Sequence, residues 1–269
     1  HFFSYLKLFL QRRIGNYTLS SFLMITLMKE LFRPWKNPIN YTLILIIKLW
    51  NFNKVISGPF EGLKLNQRFP TKAMLLGVWE KEISYIWDSL EGFKYIIDIG
   101  AAEGYYAVGL ARKYSNKKIY AFEMNPSTQK LLFNVISDNS VKNIEIHGKC
   151  ENRDLQILSD KLKDSLMIID CEGYEIVLLN DDSTPILKNT TIVVELHEMY
   201  APGCTHELRK RFSSTHYVKE IKGRRRNVND WPSKLKILKY LFPRSLLLHF
   251  MDEGRPYPMN WLYMQPRSD

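Results

Sequence analysis

Short apolar runs alternate with stretches of helical period from Tyr95 to the end of the chain. Tyr95 to Ile99, Lys118 to Glu123, Ile144 to His147, Leu166 to Asp170 and Ile192 to Leu196 are rich in Ile, Val or Leu, which predicts five strands buried on both faces. Between them, Gly104 to Tyr114, Ser127 to Ser137 and Asp154 to Leu162 carry the apolar spacing of helices. Glu207 to Phe212 predicts another helix. His216 to Ile221 and Met259 to Met264 predict two late strands, separated by an insertion at about 222–258 with a helical stretch at Lys234 to Leu241. Strands that alternate with helices form βα units, so the expected fold class is α/β with a largely parallel sheet.

Residues 1–72 follow another pattern, with aromatic and aliphatic residues mixed among Lys and Arg and broken by Pro34, Pro38, Pro59 and Pro70. Two or three helices are expected there, forming an N-terminal cap on a domain that spans 73–269. A basic amphipathic arm lying on a membrane is the alternative, since Phe2, Phe3, Tyr5, Leu6 and Phe9 sit beside Lys7, Arg12 and Arg13. No run of eighteen apolar residues interrupts the chain, so a spanning helix is not expected. Cys150, Cys171 and Cys204 lack the spacing of a disulfide framework or zinc site, which points to a reducing, cytoplasmic setting.

Charge changes the picture more than composition does. The net charge of +10 divides into +7 over residues 1–90, −5 over 91–200 and +8 over 201–269. An acidic centre between basic flanks suggests a carboxylate-built site in the middle and an anionic partner at the ends.

That centre holds the most informative segment, Asp98-Ile-Gly100-Ala-Ala102-Glu103-Gly104-Tyr105, where a buried strand enters a helix through a small-residue turn. Small residues let a backbone approach a ligand, and the helix start offers free N–H groups. The spacing departs from the G-x-G-x-x-G of dinucleotide sites and is similar to the D-x-G-x-x-x-G turn that binds S-adenosylmethionine. Glu123 closes the next strand 19 residues after Gly104, where a carboxylate accepts from both hydroxyls of a ribose. Asn125 follows it. Asp98, Gly100, Ala102, Glu103, Gly104, Tyr105, Glu123, Asn125 and Asp170 are therefore the candidate cofactor residues.

Asp170-Cys-Glu172-Gly-Tyr-Glu175 resembles the D-x-E-G-x-E segment of FkbM-type methyltransferases, a branch of the class I S-adenosylmethionine-dependent enzymes. Gly77-Val-Trp79-Glu80 and Glu195-Leu-His197 resemble further segments of that family. The resemblance covers roughly residues 74–200 and Met259 to Leu262. It implies a Rossmann-like sheet of seven strands, mostly parallel with an antiparallel final hairpin and helices on both faces, and methyl transfer to a sugar, glycan or secondary-metabolite hydroxyl.

Such a hydroxyl must lose its proton, to a side-chain base or under the influence of a divalent metal. Asp170, Glu172 and His197 are the candidate catalytic residues, and Asp170, Glu195 and His197 the candidate ligands for Mg2+ or Mn2+, leaving His197 as base where carboxylates hold the ion. Trp79, Glu80, Arg224 and Arg225 are expected to line a small-molecule or glycan acceptor, anionic or lipid-linked. Nine cations between Lys219 and Arg244, interleaved with Trp231 and Tyr240, also suit RNA, which ranks lower because no RNA-module signature accompanies them. A non-catalytic S-adenosylmethionine-binding scaffold stays open as well.

Overall fold

The Ile-, Val- and Leu-rich runs assemble into one seven-stranded sheet. The computed structural model describes residues 53–65 and 71–267, which belong to a compact unit that begins at Asn53. Most of the N-terminal helical cap expected over 1–72, and all of the membrane-facing arm that is its alternative, lie outside the described residues. In chain order the elements are α1 (Lys72–Leu76), β1 (Tyr95–Ile99), α2 (Tyr105–Lys113), β2 (Lys118–Phe122), α3 (Pro126–Asn139) and β3 (Ile144–His147). There follow α4 (Asn152–Ile157), α5 (Ser159–Leu162), β4 (Ser165–Ile169), α6 (Glu175–Leu178), β5 (Thr191–Leu196) and α7 (Cys204–Phe212). The chain closes with β6 (His216–Ile221), α8 (Lys236–Leu241), α9 (Arg244–Phe250) and β7 (Asn260–Pro266).

The strand order is β3-β2-β1-β4-β5-β7-β6. β1 to β5 pair in parallel, and β7 runs antiparallel to both β5 and β6. This is the Rossmann-like, mostly parallel sheet expected from the sequence. Order reverses between β1 and β4, and a crevice at such a switch point, outside the carboxyl ends of the strands, is where open α/β sheets bind ligands.

Successive side chains of a strand face opposite sides, and two separate cores record the alternation. Ile96 of β1, Leu166 and Ile168 of β4 and Val193 of β5 pack with Tyr105, Tyr106 and Leu110 of α2. Ile97 and Ile99, Met167 and Ile169, and Ile192 and Val194 pack in a second cluster with Leu208 and Phe212 of α7. Asp98 and Glu195 have the parity of the first set, and Asp170 and His197 continue it past the strand ends. Four ionisable residues thus reach one face of the sheet at one edge. Phe60, from the segment before α1, backs this face with its ring edge-on to Tyr105 at 5.1 Å.

Two predicted helices differ in form. The stretch expected as one helix over Asp154 to Leu162 is α4 and α5, broken at Leu158, whose backbone (φ −86°, ψ 4°) leaves the helical region. The insertion holds α9 as well as α8, because Pro243 forces Phe242 into an extended conformation and then starts a new helix.

Candidate active site

The turn after β1 is built around two glycines. Gly100 has φ 87°, and a Cβ there would lie 1.7 Å from the Asp170 carbonyl oxygen, so no other residue lets β1 and β4 end side by side. Gly104 has φ 94°, and its Cβ would meet Leu132 and Val108. The turn also strains non-glycine backbone: Ala102 (φ 45°), Glu172 (φ 55°) and Glu80 (φ 42°) adopt left-handed conformations around the site.

Asp98 is 2% exposed, and its Oδ2 has no hydrogen-bond partner among the described residues. Burial pushes its pKa up to about 7, aided by the Asp170 carboxylate and opposed by the Ala107 amide. A buried carboxylate oxygen without a donor fits a cationic ligand group. Glu123 accepts from the Ala102 amide at 3.1 Å and from the Asn125 amide at 2.7 Å, which sets it across the turn. Asn125 is engaged otherwise, since its Oδ1 caps α3 by accepting from the Ser127 amide at 2.9 Å. Glu103 is half-buried at the turn, and the Tyr105 ring packs into the core against Phe60.

The opposite wall is a carboxylate cluster around His197, which is 3% exposed. Its Nδ1 lies 2.7 Å from Glu175 Oε1, and its Nε2 lies 3.3 Å from Glu195, 3.5 Å from Glu172 and 3.6 Å from Asp170. Burial alone would lower the imidazole pKa, but hydrogen bonds to Glu175 and Glu195 and the surrounding negative charge outweigh it and push it up to about 10. A ring protonated at neutral pH serves as a hydrogen-bond donor to the carboxylates around it, and the base role expected of His197 requires that proton to leave first. Burial pushes the Asp170 carboxyl well above its usual range, reinforced by the Glu195 charge and moderated by His197 and Arg255.

Glu80 is fully enclosed and completes the wall. Tyr106 donates its hydroxyl to Glu80 Oε2, and Arg255 donates Nη2 to Glu80 Oε1 at 2.6 Å while its Nη1 donates to Glu195. Burial, against the pull of Arg255, lifts Glu80 to about 8. The Arg255 guanidinium also sits 4.6 Å over the Trp79 ring. Arg255 and Glu175 were not legible as site residues. Glu175 reads as a solvated helix position, but α6 is a single turn that starts under the strand edge and buries its first residue.

For a cation, Asp170, Glu175 and His197 offer donor atoms within 4.8 Å of one another, as do Glu80, Asp170 and Glu195. The expected trio of Asp170, Glu195 and His197 is brought together, but Glu195 already accepts from Arg255. The three consecutive arginines of the basic segment differ in their partners. Arg224 forms a bidentate pair with Asp230 at 2.6 and 2.8 Å, and Arg226 is buried against Glu82 and Glu253. Arg225 is exposed and, among the described residues, donates only to the Pro256 carbonyl, at 2.8 Å. Among the described residues, no helix is long and apolar enough to cross a membrane.

No protein-family model matches the chain, and no curated protein matches it. Solved structures similar to it are methyltransferases. The precorrin-6y C5,15-methyltransferase of Geobacter metallireducens is 11% identical over 77% of this chain and 97% of its own, with a TM-score of 0.46. The O-methyltransferase TomG of Streptomyces achromogenes, solved with SAM, is 12% identical over 71% and 81%, with a TM-score of 0.43. An rRNA methylase of Streptococcus thermophilus is 10% identical over 70% and 97%, with a TM-score of 0.46. At these scores the likeness is one of general architecture, and the chemistry has to be read from the site's own residues.

Proposed function

We propose that the chain is an S-adenosylmethionine-dependent methyltransferase that acts on a hydroxyl oxygen of a sugar, glycan or secondary metabolite, as the FkbM-like motifs imply. One observation carries the reading: the glycine turn bearing Asp98, whose Oδ2 has no partner among the described residues, abuts, through Gly100 and the Asp170 carbonyl, a wall of acids that can take up a proton. Bound S-adenosylmethionine supplies an electrophilic methyl group on a positively charged sulfur. Asp98 holds the cationic amino-acid end, Glu123 accepts from the ribose hydroxyls, and Met124, 71% exposed beside Glu123, offers a polarisable face to the base.

Asp170 takes the acceptor's proton. An acid of raised pKa is a strong base once ionised, and a cation arriving in the turn favours that ionised form. His197, protonated, orients Glu195 and Asp170. Arg255 and Tyr106 fix Glu80 for contact with the acceptor, beside Trp79. A second reading gives Asp170, Glu175 and His197, the last having released its proton, a Mg2+ or Mn2+ ion that would lower the hydroxyl pKa, favoured by the closeness of their donor atoms.

The test is turnover with methyl-labelled cofactor on acceptors identified by mass spectrometry of material that co-purifies with the protein. A labelled methyl ether, with kcat at least about a hundredfold lower in Asp170→Asn, is the expected result. A labelled N- or C-methyl product, or unchanged kcat in the variant, would overturn it. Chelation separates the two versions: activity unaffected by EDTA supports the side-chain base, and loss restored by Mg2+ supports the ion.

A further inference from the structure

A cavity of about 270 Å³ lies beside the carboxylate wall, lined by Arg224, Arg225, Arg226 and Arg255 with Tyr257 and the apolar side chains of Leu248 and Met251. Two acids, Asp252 and Glu253, also line it. Formal charge in the cavity is therefore positive, but what matters is which donors remain available. Arg224 is committed to Asp230, and Arg255 to Glu80 and Glu195. Of the acids, Glu253 accepts from the Glu80 amide at 2.9 Å and pairs with Arg226, whereas Asp252 accepts from the Gly254 amide at 2.7 Å and keeps its negative charge at the exposed rim.

Arg226 makes all of its contacts through Nη2, to Glu82, Glu253 and the Arg224 carbonyl. Its Nε and Nη1 are buried without a partner among the described residues. Buried guanidinium N–H groups left without acceptors are costly, and such groups mark an absent partner. Arg225 is exposed, carries no carboxylate among the described residues, and uses one nitrogen on Pro256. Two forked donors with spare N–H groups in one small cavity match the several acceptor oxygens of a phosphate.

We infer that the chain binds a phosphate group in the cavity lined by Arg225 and Arg226, and that this phosphate belongs to the acceptor. The second half rests on the methyl-transfer reading above. Arg255 is the shared wall: one side faces the cavity, and its guanidinium bridges Glu80 and Glu195 of the acid cluster. A phosphate seated there holds the rest of the molecule against the acids that activate its hydroxyl. The arginines around it also offset the repulsion those acids exert on an anionic acceptor.

The experiment is calorimetry on the full chain with inorganic phosphate, glucose 6-phosphate and glucose, and in parallel with S-adenosylhomocysteine. Glucose 6-phosphate should bind and glucose should not. Arg225→Glu, an exposed position without an ion pair among the described residues, should lower glucose 6-phosphate affinity about tenfold or more while leaving S-adenosylhomocysteine affinity unchanged. Arg226→Lys keeps the charge facing Glu82 and Glu253 but removes the spare donors, and should weaken phosphate likewise. Vesicles containing phosphatidic acid distinguish the source: binding to them alone, lost in Arg225→Glu, assigns the phosphate to a lipid-linked acceptor, and binding of glucose 6-phosphate alone assigns it to a soluble one. Absence of binding by every phosphate probe at about millimolar concentration, or equal affinity in Arg225→Glu, overturns the inference. So does tight, steeply salt-dependent binding of mixed-sequence single-stranded RNA that Arg225→Glu abolishes. If phosphate binds as expected but S-adenosylhomocysteine does not, the methyl-transfer reading fails and the phosphate site stands.

Discussion

His197 Nδ1 lies 2.7 Å from Glu175 Oε1, and both side chains are almost wholly enclosed. The pair joins the end of β5 to the single-turn helix α6, and it sets the charge of the cluster. His197 is raised to about 10, so its share of stability is complete below the ordinary imidazole pKa of 6.5 and fades as pH rises toward 10. Glu175 is held low by the imidazolium despite burial, so its share is present above 4.5 and fades in acid. Glu175→Gln should therefore destabilise by on the order of 1 to 3 kcal/mol near pH 6, the loss of one charged hydrogen bond while Nε2 keeps its acidic neighbours, and by much less near pH 10. Urea unfolding at the two pH values checks this, and NMR titration should place the His197 pKa lower in the variant.

Arg255 compensates two buried acids at once. Arg255→Ala would leave Glu80 and Glu195 without their shared donor and should cost about 3 to 5 kcal/mol of stability at neutral pH. Arg255→Lys should recover only part, since an ammonium does not span two carboxylates as a planar fork does. Thermal unfolding of the two variants checks the order.

β1, β4 and β5 were legible because each is a short run rich in Ile, Val or Leu, and burial on both faces leaves no polar alternation to confuse with a helix, whereas β3 and β6, half-exposed, show only partial alternation. The glycine turn was legible for a related reason: Gly100 and Gly104 occupy positions where a Cβ collides with backbone or core. What sequence could not give was pairing. Arg226 meets Glu82 across 144 positions and Arg255 meets Glu80 across 175, so positive charge that reads as free in the sequence is partly paired in the fold. Glu175 was hidden by the shortness of α6, whose helical period has no room to show an inward face.

Asp98 should couple cofactor binding to protons. Its carboxyl titrates near 7 when the site is free, and a bound cation favours the ionised form. Affinity for S-adenosylmethionine should therefore fall as pH drops below about 7, with proton release on binding measurable by calorimetry in buffers of different ionisation enthalpy. Because its folded pKa is raised, burial of Asp98 costs stability as pH climbs from 3.8 through 7. Asp98→Asn should thus stabilise the protein by the order of 2 kcal/mol at pH 8 while weakening the cofactor. Loss of stability at pH 8 would show that Asp98 has a partner that compensates its charge.

The most direct test is calorimetry of S-adenosylhomocysteine binding to the unsubstituted chain and to Glu123→Ala. The account predicts one-site binding to the unsubstituted chain, with affinity about ten- to a hundredfold weaker in the variant through loss of charged hydrogen bonds to the ribose. Absence of binding to the unsubstituted chain, or equal affinity in Glu123→Ala, would contradict it.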